Sequence, residues 1–255
     1  QAIMFVLDCS KSMEAKIVDS TDPTATQTRW TKATQTLRNI MTGLSKPADP
    51  SLTPDIGLIA FGHRVTMDLN TRIPEVNEKK YPDLKTKFPK IASDPWMDVE
   101  LRRAFSSLTS DHLKKTLDHI EALDPFGATP SLAAIQQALG EFKKRQSGGI
   151  IVLVTDGIYT LKRELPEDLE QSLGTIKKGL QENPGVSLQV VLFGQSVKQL
   201  EADPKNRTKV AKLKQLLDTG TGHKLREAPM GNQLASELAA AIAPRPYFVL
   251  DRDPA

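Results

Sequence analysis

The chain has 255 residues, of which 39% are hydrophobic and 25% are charged, a composition typical of a globular protein with one large or two small domains. Its 34 basic and 31 acidic residues leave a net charge of only +3, so we expect no nucleic-acid partner. The single cysteine, Cys9, excludes an intrachain disulfide and a cysteine-based zinc site, and we expect it to be a small packing residue. No apolar run approaches the ~18 residues of a membrane span, so we expect no membrane contact by this domain.

Four strongly apolar runs predict buried strands: residues 2–7, 56–61, 150–155 and 186–193. The third run is apolar throughout, as expected of a central strand that is covered on both faces. A shorter run at 65–69 follows the second strand closely, which predicts a hairpin and an antiparallel edge strand. Residues 222–228 predict a last short strand.

Six segments between these runs carry apolar residues three and four positions apart, the spacing of a helix with one buried face. Their first apolar residues are Trp30, Leu113, Leu132, Leu169, Val210 and Leu234. Strands that alternate with such helices predict an α/β fold of the Rossmann-like, doubly wound kind. We expect a mostly parallel central sheet of about six strands, one antiparallel edge strand, and helices on both faces.

The predicted domain covers residues 1–243, and residues 244–255 are assigned to a linker or to the start of a following segment. Residues 70–95 contain four prolines and little periodicity, which predicts a surface insertion. The chain begins almost directly on a strand and ends on a new apolar run. We therefore expect a monomeric domain of a larger protein, whose compartment the sequence leaves open.

Oxygen-bearing side chains stand where two of the predicted strands end. Asp8 closes the first strand and is followed by Ser10 and Ser12, Asp156 closes the third, and Thr129 precedes a helix. Ligands of open parallel sheets bind beyond the carboxyl ends of the strands, where the strand order reverses. Two unpaired carboxylates at that edge would be costly, and a divalent cation would compensate them. Hydroxyl and carboxylate oxygens suit Mg²⁺, with Mn²⁺ or Ca²⁺ as alternatives.

Helix capping is the simpler interpretation of these residues, because Asp, Ser and Thr favour turns and helix starts. Pro130 suits the first helical turn, which would make Thr129 the N-cap. Capping alone would explain Thr129. It would not explain why three separate segments place oxygens at one edge of the sheet.

The motif D-x-S-x-S formed by Asp8, Ser10 and Ser12, followed by Thr129 in GATP and by Asp156 in DG, resembles the metal-ion-dependent adhesion site of bacterial-type von Willebrand factor A (vWA) domains. The resemblance covers roughly residues 1–243. It implies that the two serines and Thr129 bind the metal directly or nearly so, and that the two aspartates act directly or through metal-bound water. It also implies that an Asp or Glu carboxylate of a partner protein completes the coordination. The implied function is metal-dependent protein–protein interaction, in adhesion or complex assembly, without catalysis.

Two features depart from the pattern of that family. Lys11 stands where many relatives have glycine, and we expect it to point toward solvent. The loop at 13–28 is long and carries Glu14, Asp19 and Asp22. These acidic residues are expected to be solvated, although a loop of this length could instead cover the metal.

Two other functions stay open at this point. A phosphohydrolase of the haloacid dehalogenase type also places an aspartate after its first strand, but its D-x-D motif would require an acid where Ser10 stands. A vWA scaffold without bound metal is the other alternative, which Lys11 keeps open. His63, in the short connection after the second strand, is interpreted as a turn residue rather than a zinc ligand.

Overall fold

The computed structural model describes residues 1–18, 26–68, 70–160, 166–218, 220 and 222–243. The strands in these ranges are β1 (Ala2–Asp8), β2 (Lys16–Val18), β3 (Thr26–Thr28), β4 (Asp55–Phe61), β5 (Val65–Met67), β6 (Pro74–Val76), β7 (Val99–Ser107), β8 (Gly149–Thr155), β9 (Val186–Phe193) and β10 (Lys224–Ala228). The α-helices are α1 (Arg29–Leu44), α2 (Leu84–Lys87), α3 (Pro89–Ala92), α4 (Ser110–Glu121), α5 (Ser131–Arg145), α6 (Pro166–Glu182), α7 (Val197–Ala202), α8 (Pro204–Leu217) and α9 (Leu234–Ile242). None of these helices is long and apolar enough to cross a membrane.

Six strands form the central sheet in the order β10-β9-β8-β1-β4-β7. All neighbours are parallel except β4 and β7, which are antiparallel. The predicted doubly wound α/β fold, with one antiparallel edge strand, is confirmed. The chain leaves β1 toward β4 and later returns to place β8 on the other side of β1. The strand order therefore reverses between β1 and β8, where a ligand crevice is expected in such sheets.

Helices cover both faces of the sheet, and each face has its own apolar core. All seven residues of β1 are buried, because the strand lies in the middle of the sheet between the two helix layers. On one face, α1, α4 and α9 pack their apolar sides against the sheet. On the other face, α5, α6 and α8 do the same. The parallel register of β1 and β8, with Leu7 opposite Val154, brings the carboxyl ends of these two strands together.

The predicted antiparallel edge at residues 65–69 is wrong. β5 pairs instead with β6 in a separate two-stranded sheet, and the antiparallel edge of the main sheet is β7. The β7 sequence, VELRRAFSS, has no apolar run, since an edge strand with half-exposed residues does not need one. Hydrophobicity alone therefore gave no indication of this strand.

Residues 70–95 contribute β6, α2 and α3, and none of these elements joins the six-stranded sheet. The segment leaves the main sheet after β4 and returns at β7. Residues 244–255, assigned above to a linker or following segment, lie outside the described residues.

Candidate functional site

Asp8 is the last residue of β1 and is completely buried. Its Oδ1 accepts a hydrogen bond from the Ser10 backbone N–H at 2.8 Å, and its Oδ2 accepts one from the Thr155 hydroxyl at 2.5 Å. Thr155 is the last residue of β8, the strand beside β1. The Asp8 carboxylate is thus held in one orientation by the loop after β1 and by the neighbouring strand β8.

Ser10 and Ser12 lie in the loop after β1, which includes a 3-10 turn at Lys11–Glu14. Their hydroxyl oxygens are 3.0 Å apart, and the Ser12 hydroxyl donates to Asp156 Oδ1 at 2.7 Å. A hydroxyl has only one proton, so Ser10 must be the donor in the pair of serines. A chain of three oxygens therefore connects the loop after β1 to the end of β8.

A third loop approaches the serines through its backbone. Gly127 forms a parallel bridge with Ser10 and accepts a hydrogen bond from the Lys11 N–H at 3.1 Å. The Gly127 N–H donates to the Gly62 carbonyl at 2.7 Å. A Cβ at Gly127 would lie 2.2 Å from the Val65 carbonyl oxygen, so the loops can approach this closely only because the residue is glycine.

Thr129 follows two residues after Gly127 and is 8% exposed. Its N–H donates to the Thr160 hydroxyl at 3.2 Å, and its carbonyl accepts from the Thr160 N–H at 3.0 Å. The prediction that Thr129 caps α5 is wrong, because Pro130 occupies the N-cap position and no side chain caps the helix. The reciprocal pairing with Thr160 holds the Thr129 backbone outside the helix. Its hydroxyl is therefore not used for capping.

The two aspartates have different electrostatic surroundings. Burial, and then the nearby charge of Asp156, raises the pKa of Asp8 to about 7, against the lowering effect of the hydrogen bonds from Thr155 and Ser10. Asp156 is equally buried, but its Oδ2 accepts a hydrogen bond from Arg29 Nη1 at 2.6 Å. In the part of the chain that the structure describes, no basic side chain pairs with Asp8. One carboxylate thus has a cationic partner and the other does not.

The donors gathered here fit a hard divalent cation. Ser10 and Ser12 present neutral oxygens beside the two carboxylates, and Mg²⁺, Mn²⁺ and Ca²⁺ all prefer such ligands. Asp8, a buried carboxylate without a cationic partner, is the group that a cation would compensate. Within the described ranges, no group of three or more His, Cys, Asp or Glu side chains is arranged to hold a metal. Hydroxyl groups would therefore have to complete the ligand set.

Comparison with known proteins relates this architecture to one fold family. A family model described as the von Willebrand factor type A domain matches residues 85–178. The vWF domain of the type V pili tip protein Mfa5 from Porphyromonas gingivalis superposes with a TM-score of 0.54 at 10% identity, over 97% of each chain. This chain has the von Willebrand factor A fold.

Two further structures share the vWA fold with this chain. The PilB minor pilin from Streptococcus sanguinis matches with a TM-score of 0.60 at 14% identity, over 94% of this chain and 59% of that one. A von Willebrand factor type A protein from Catenulispora acidiphila matches with a TM-score of 0.53 at 13% identity, over 94% and 41%. This chain thus spans less than two thirds of either protein. A search of curated protein sequences found no match.

Sequence reasoning missed two residues that contact the candidate site, Thr155 and Arg29. Thr155 is a polar residue at the end of an apolar strand, and this was a usable indication. Arg29 is the first residue of α1, where a cation opposes the helix dipole and therefore calls for a compensating anion. Its contact with the site could not be predicted, because β2 and β3 lie between Ser12 and Arg29 in the sequence.

Within the loop at 13–28, residues 16–18 and 26–28 form a two-stranded antiparallel sheet. Lys16 pairs with Thr28 and Val18 with Thr26. Asp19 and Asp22, which were considered as acidic groups near the metal, lie outside the described residues. Lys11 is exposed, as expected.

A buried network of charged residues holds the backbone that contacts the loop of Gly127. Asp98 is fully buried, and its carboxylate accepts hydrogen bonds from the Arg64 Nε and N–H, both at 2.6 Å. The Asp98 carbonyl accepts from the Gly62 N–H at 3.0 Å, and Gly62 in turn holds Gly127. His63 does lie in the turn after β4, but it is completely buried, with its Nε2 3.3 Å from Glu100 Oε2. The network therefore fixes the backbone against which Gly127 packs.

Proposed function

We propose that this domain is a metal-dependent protein-interaction module of the bacterial vWA type, acting in adhesion or complex assembly and not as an enzyme. The proposed cation is Mg²⁺, with Mn²⁺ or Ca²⁺ as alternatives, and its proposed ligands are Asp8, Ser10, Ser12, Thr129 and Asp156. When bound, the cation would supply an electrophilic centre that takes up an Asp or Glu carboxylate from a partner protein. The observation that carries the proposal is the buried Asp8 carboxylate, which has no basic partner among the described residues and lies beside the hydroxyl oxygens of Ser10 and Ser12.

Each residue has a physical role in this proposal. Asp8 and Asp156 supply negative charge to a cation in a buried site. Ser10, Ser12 and Thr129 supply neutral oxygens, which bind a cation without neutralising it. A cation held in this way keeps an affinity for a further anion, which is the property that an adhesion site needs. The hydrogen bonds between the loops position the oxygens before any ligand arrives.

The comparisons support an interaction role at the level of the fold. Two of the matched structures are described as a minor pilin and as a pilus tip protein. By these descriptions, both proteins are parts of pili. For this chain the same role is an inference from a shared fold at low identity.

A metal-free scaffold is the second candidate, and the pairing of Arg29 with Asp156 favours it. In that case the guanidinium would act as the cation of the site. It compensates only one carboxylate, however, and leaves Asp8 buried without a basic partner among the described residues. We therefore favour the metal-dependent module.

Binding of Mn²⁺ to the chelator-stripped protein tests this proposal, with free Mn²⁺ followed by electron paramagnetic resonance. We expect the wild type to bind one Mn²⁺ that Mg²⁺ can displace, and Ser12→Ala to bind at least ~10-fold more weakly. Ser51→Ala is the matched control, since Ser51 is exposed and lies in the turn before β4. The start of β4 pairs with the start of β1, at the opposite end of β1 from Asp8. Absence of Mn²⁺ binding by the wild type at millimolar metal, or equal binding by Ser12→Ala, would overturn the proposal.

A further inference from the structure

The Arg29 guanidinium connects the ends of two neighbouring strands beside the candidate metal site. Its side chain is only 13% exposed. Nη1 donates to Asp156 Oδ2 at 2.6 Å, and Nη2 donates to the Gly194 carbonyl at 3.2 Å. Asp156 follows β8 and Gly194 follows β9. Arg29 is thus a nearly buried cation held by one charged and one neutral oxygen.

The surrounding backbone is shaped to admit this side chain. Gly194 has a φ of +75°, and a Cβ at this residue would lie 2.5 Å from Arg29 Nε and 2.8 Å from Arg29 Cδ. The Arg29 N–H donates to the Ala15 carbonyl at 2.9 Å, just after the turn that contains Ser12. The start of α1 is therefore fixed against the loop of the serines, with room for the guanidinium above Gly194.

The two carboxylate oxygens of Asp156 accept hydrogen bonds from different residues. Its Oδ1 accepts from Ser12, and its Oδ2 accepts from Arg29. Arg29 therefore reaches the site without taking the oxygen that faces the serines. A cation and the guanidinium could share the Asp156 carboxylate from its two sides.

The charges of the site have a consequence for its ligand. Asp8, Asp156 and Arg29 together carry one net negative charge when all three are ionised. A divalent cation changes this to one net positive charge, which a single carboxylate would neutralise. Without Arg29, the two aspartates would already balance the cation, and an anionic ligand would add an unbalanced negative charge.

Resting on the proposed function, we propose that Arg29 is the specificity-determining residue that makes the metal-loaded site require an anionic ligand. Arg29 weakens the binding of the bare cation, because a positive charge opposes it, and strengthens the binding of a carboxylate to the loaded site. Both effects have the same origin and opposite signs. If Arg29 only supported the fold, its replacement would weaken the binding of both the cation and the carboxylate.

The test compares Arg29→Gln, Arg29→Lys and the wild type, with Arg38→Gln as a control. Arg38 lies on the same helix, and its ion pair with Glu121 is exposed. We expect Arg29→Gln to bind Mn²⁺ at least ~10-fold more tightly in buffer without carboxylates, as one charge in a partly buried site implies. Acetate titrated into the Mn²⁺-saturated variant, followed by water-proton relaxation, should bind at least ~10-fold more weakly. Arg29→Lys keeps the charge, so both of its affinities should stay close to those of the wild type, as should those of Arg38→Gln.

A metal-free measurement accompanies these titrations. In the presence of chelator, Arg29→Gln should unfold at a lower temperature than the wild type, since Asp156 loses its cationic partner. Saturating Mn²⁺ should abolish this difference in unfolding temperature, and Arg38→Gln should not show the difference in chelator. Acetamide, a neutral probe, should bind to the Mn²⁺-saturated wild type and Arg29→Gln with similar affinities.

The outcomes separate this inference from the proposed function. If the wild type does not bind Mn²⁺, the proposed metal site is wrong and the role of Arg29 falls with it. If the wild type binds Mn²⁺ but Arg29→Gln weakens both Mn²⁺ and acetate, or changes neither, the metal site stands and the inference about Arg29 is overturned. Opposite changes of the two affinities, rescued by Arg29→Lys, support it.

Discussion

Replacing Asp8 with asparagine should stabilise the metal-free domain at neutral and alkaline pH. The change keeps the shape of the side chain and removes its charge. Asn Oδ1 can still accept from the Ser10 N–H. Asn Nδ2 can donate to the Thr155 hydroxyl oxygen, whose own proton can turn to the Gly157 carbonyl, 3.1 Å away. The hydrogen bonds of the site are thus satisfied without a buried anion.

The expected size follows from the pKa of Asp8, which rises from 3.8 to about 7 on folding. Between these values the folded state binds more protons than the unfolded state, so stability falls as the pH rises. At pH 8 the full shift of ~3 pKa units corresponds to a cost of about 4 kcal/mol. We expect Asp8→Asn to recover about 2–4 kcal/mol of this, or ~5–15 °C in Tm for a domain of this size. The difference from the wild type should shrink toward pH 4.

Urea unfolding in chelator, from pH 4.5 to pH 8, measures this difference. Asp111→Asn is the control of opposite sign, because the hydrogen bond from Lys115 lowers the pKa of Asp111 and its removal should not stabilise the protein at pH 8. With excess Mn²⁺ the order should change, since the wild type gains binding energy that Asp8→Asn lacks. If Asp8→Asn were less stable than the wild type at pH 8 in chelator, the reasoning that Asp8 is an uncompensated anion would be refuted.

Three further predictions concern the support of the site. Gly127→Ala places a Cβ 2.2 Å from a backbone carbonyl and should lower the free energy of unfolding by at least ~2 kcal/mol in urea titrations; Gly43→Ala, on a helix with open space around it, should not destabilise. Asp98→Ala removes the carboxylate that holds the buried Arg64 and should cost about 3–5 kcal/mol by the same assay; a cost below ~1 kcal/mol would contradict the role of that network. Burial raises the pKa of the Cys9 thiol well above its ordinary value. A disulfide reagent at pH 8 should therefore label Cys9 at least ~100-fold more slowly in the native protein than in urea. Rapid labelling of the native protein would show that the end of β1 opens readily.

Much of the fold could be predicted because its sheet has buried strands and its helices have one buried face. β1 and β8 are covered on both sides, so their sequences are continuous apolar runs. The edge strand β7 could not be found in this way, because half of its surroundings are solvent and its residues follow no apolar pattern. The same limit explains why the hairpin after β4 was assigned to the wrong sheet.

The residues of the candidate site that lie at strand ends could be predicted. Those that reach the site only after intervening segments have folded could not. Asp8 and Asp156 could be brought together because parallel strands end at one edge. Arg29 could not, since a hairpin must first close between it and Ser12. The contact of His63 with Glu100, at 3.3 Å, could not be predicted either, because Glu100 lies on a strand that the sequence did not reveal.

Crystals of the domain soaked with Mn²⁺ would test the central claim most directly, through the anomalous scattering of the metal. We expect one strong anomalous peak at the edge of the sheet, from a metal bound by the hydroxyl oxygens of Ser10 and Ser12, with Thr129 and the two aspartates around it. The peak should disappear in crystals of Ser12→Ala grown and soaked in the same way. A wild-type crystal at saturating Mn²⁺ with no peak there, or with its strongest peak elsewhere, would show that these residues do not form a metal site.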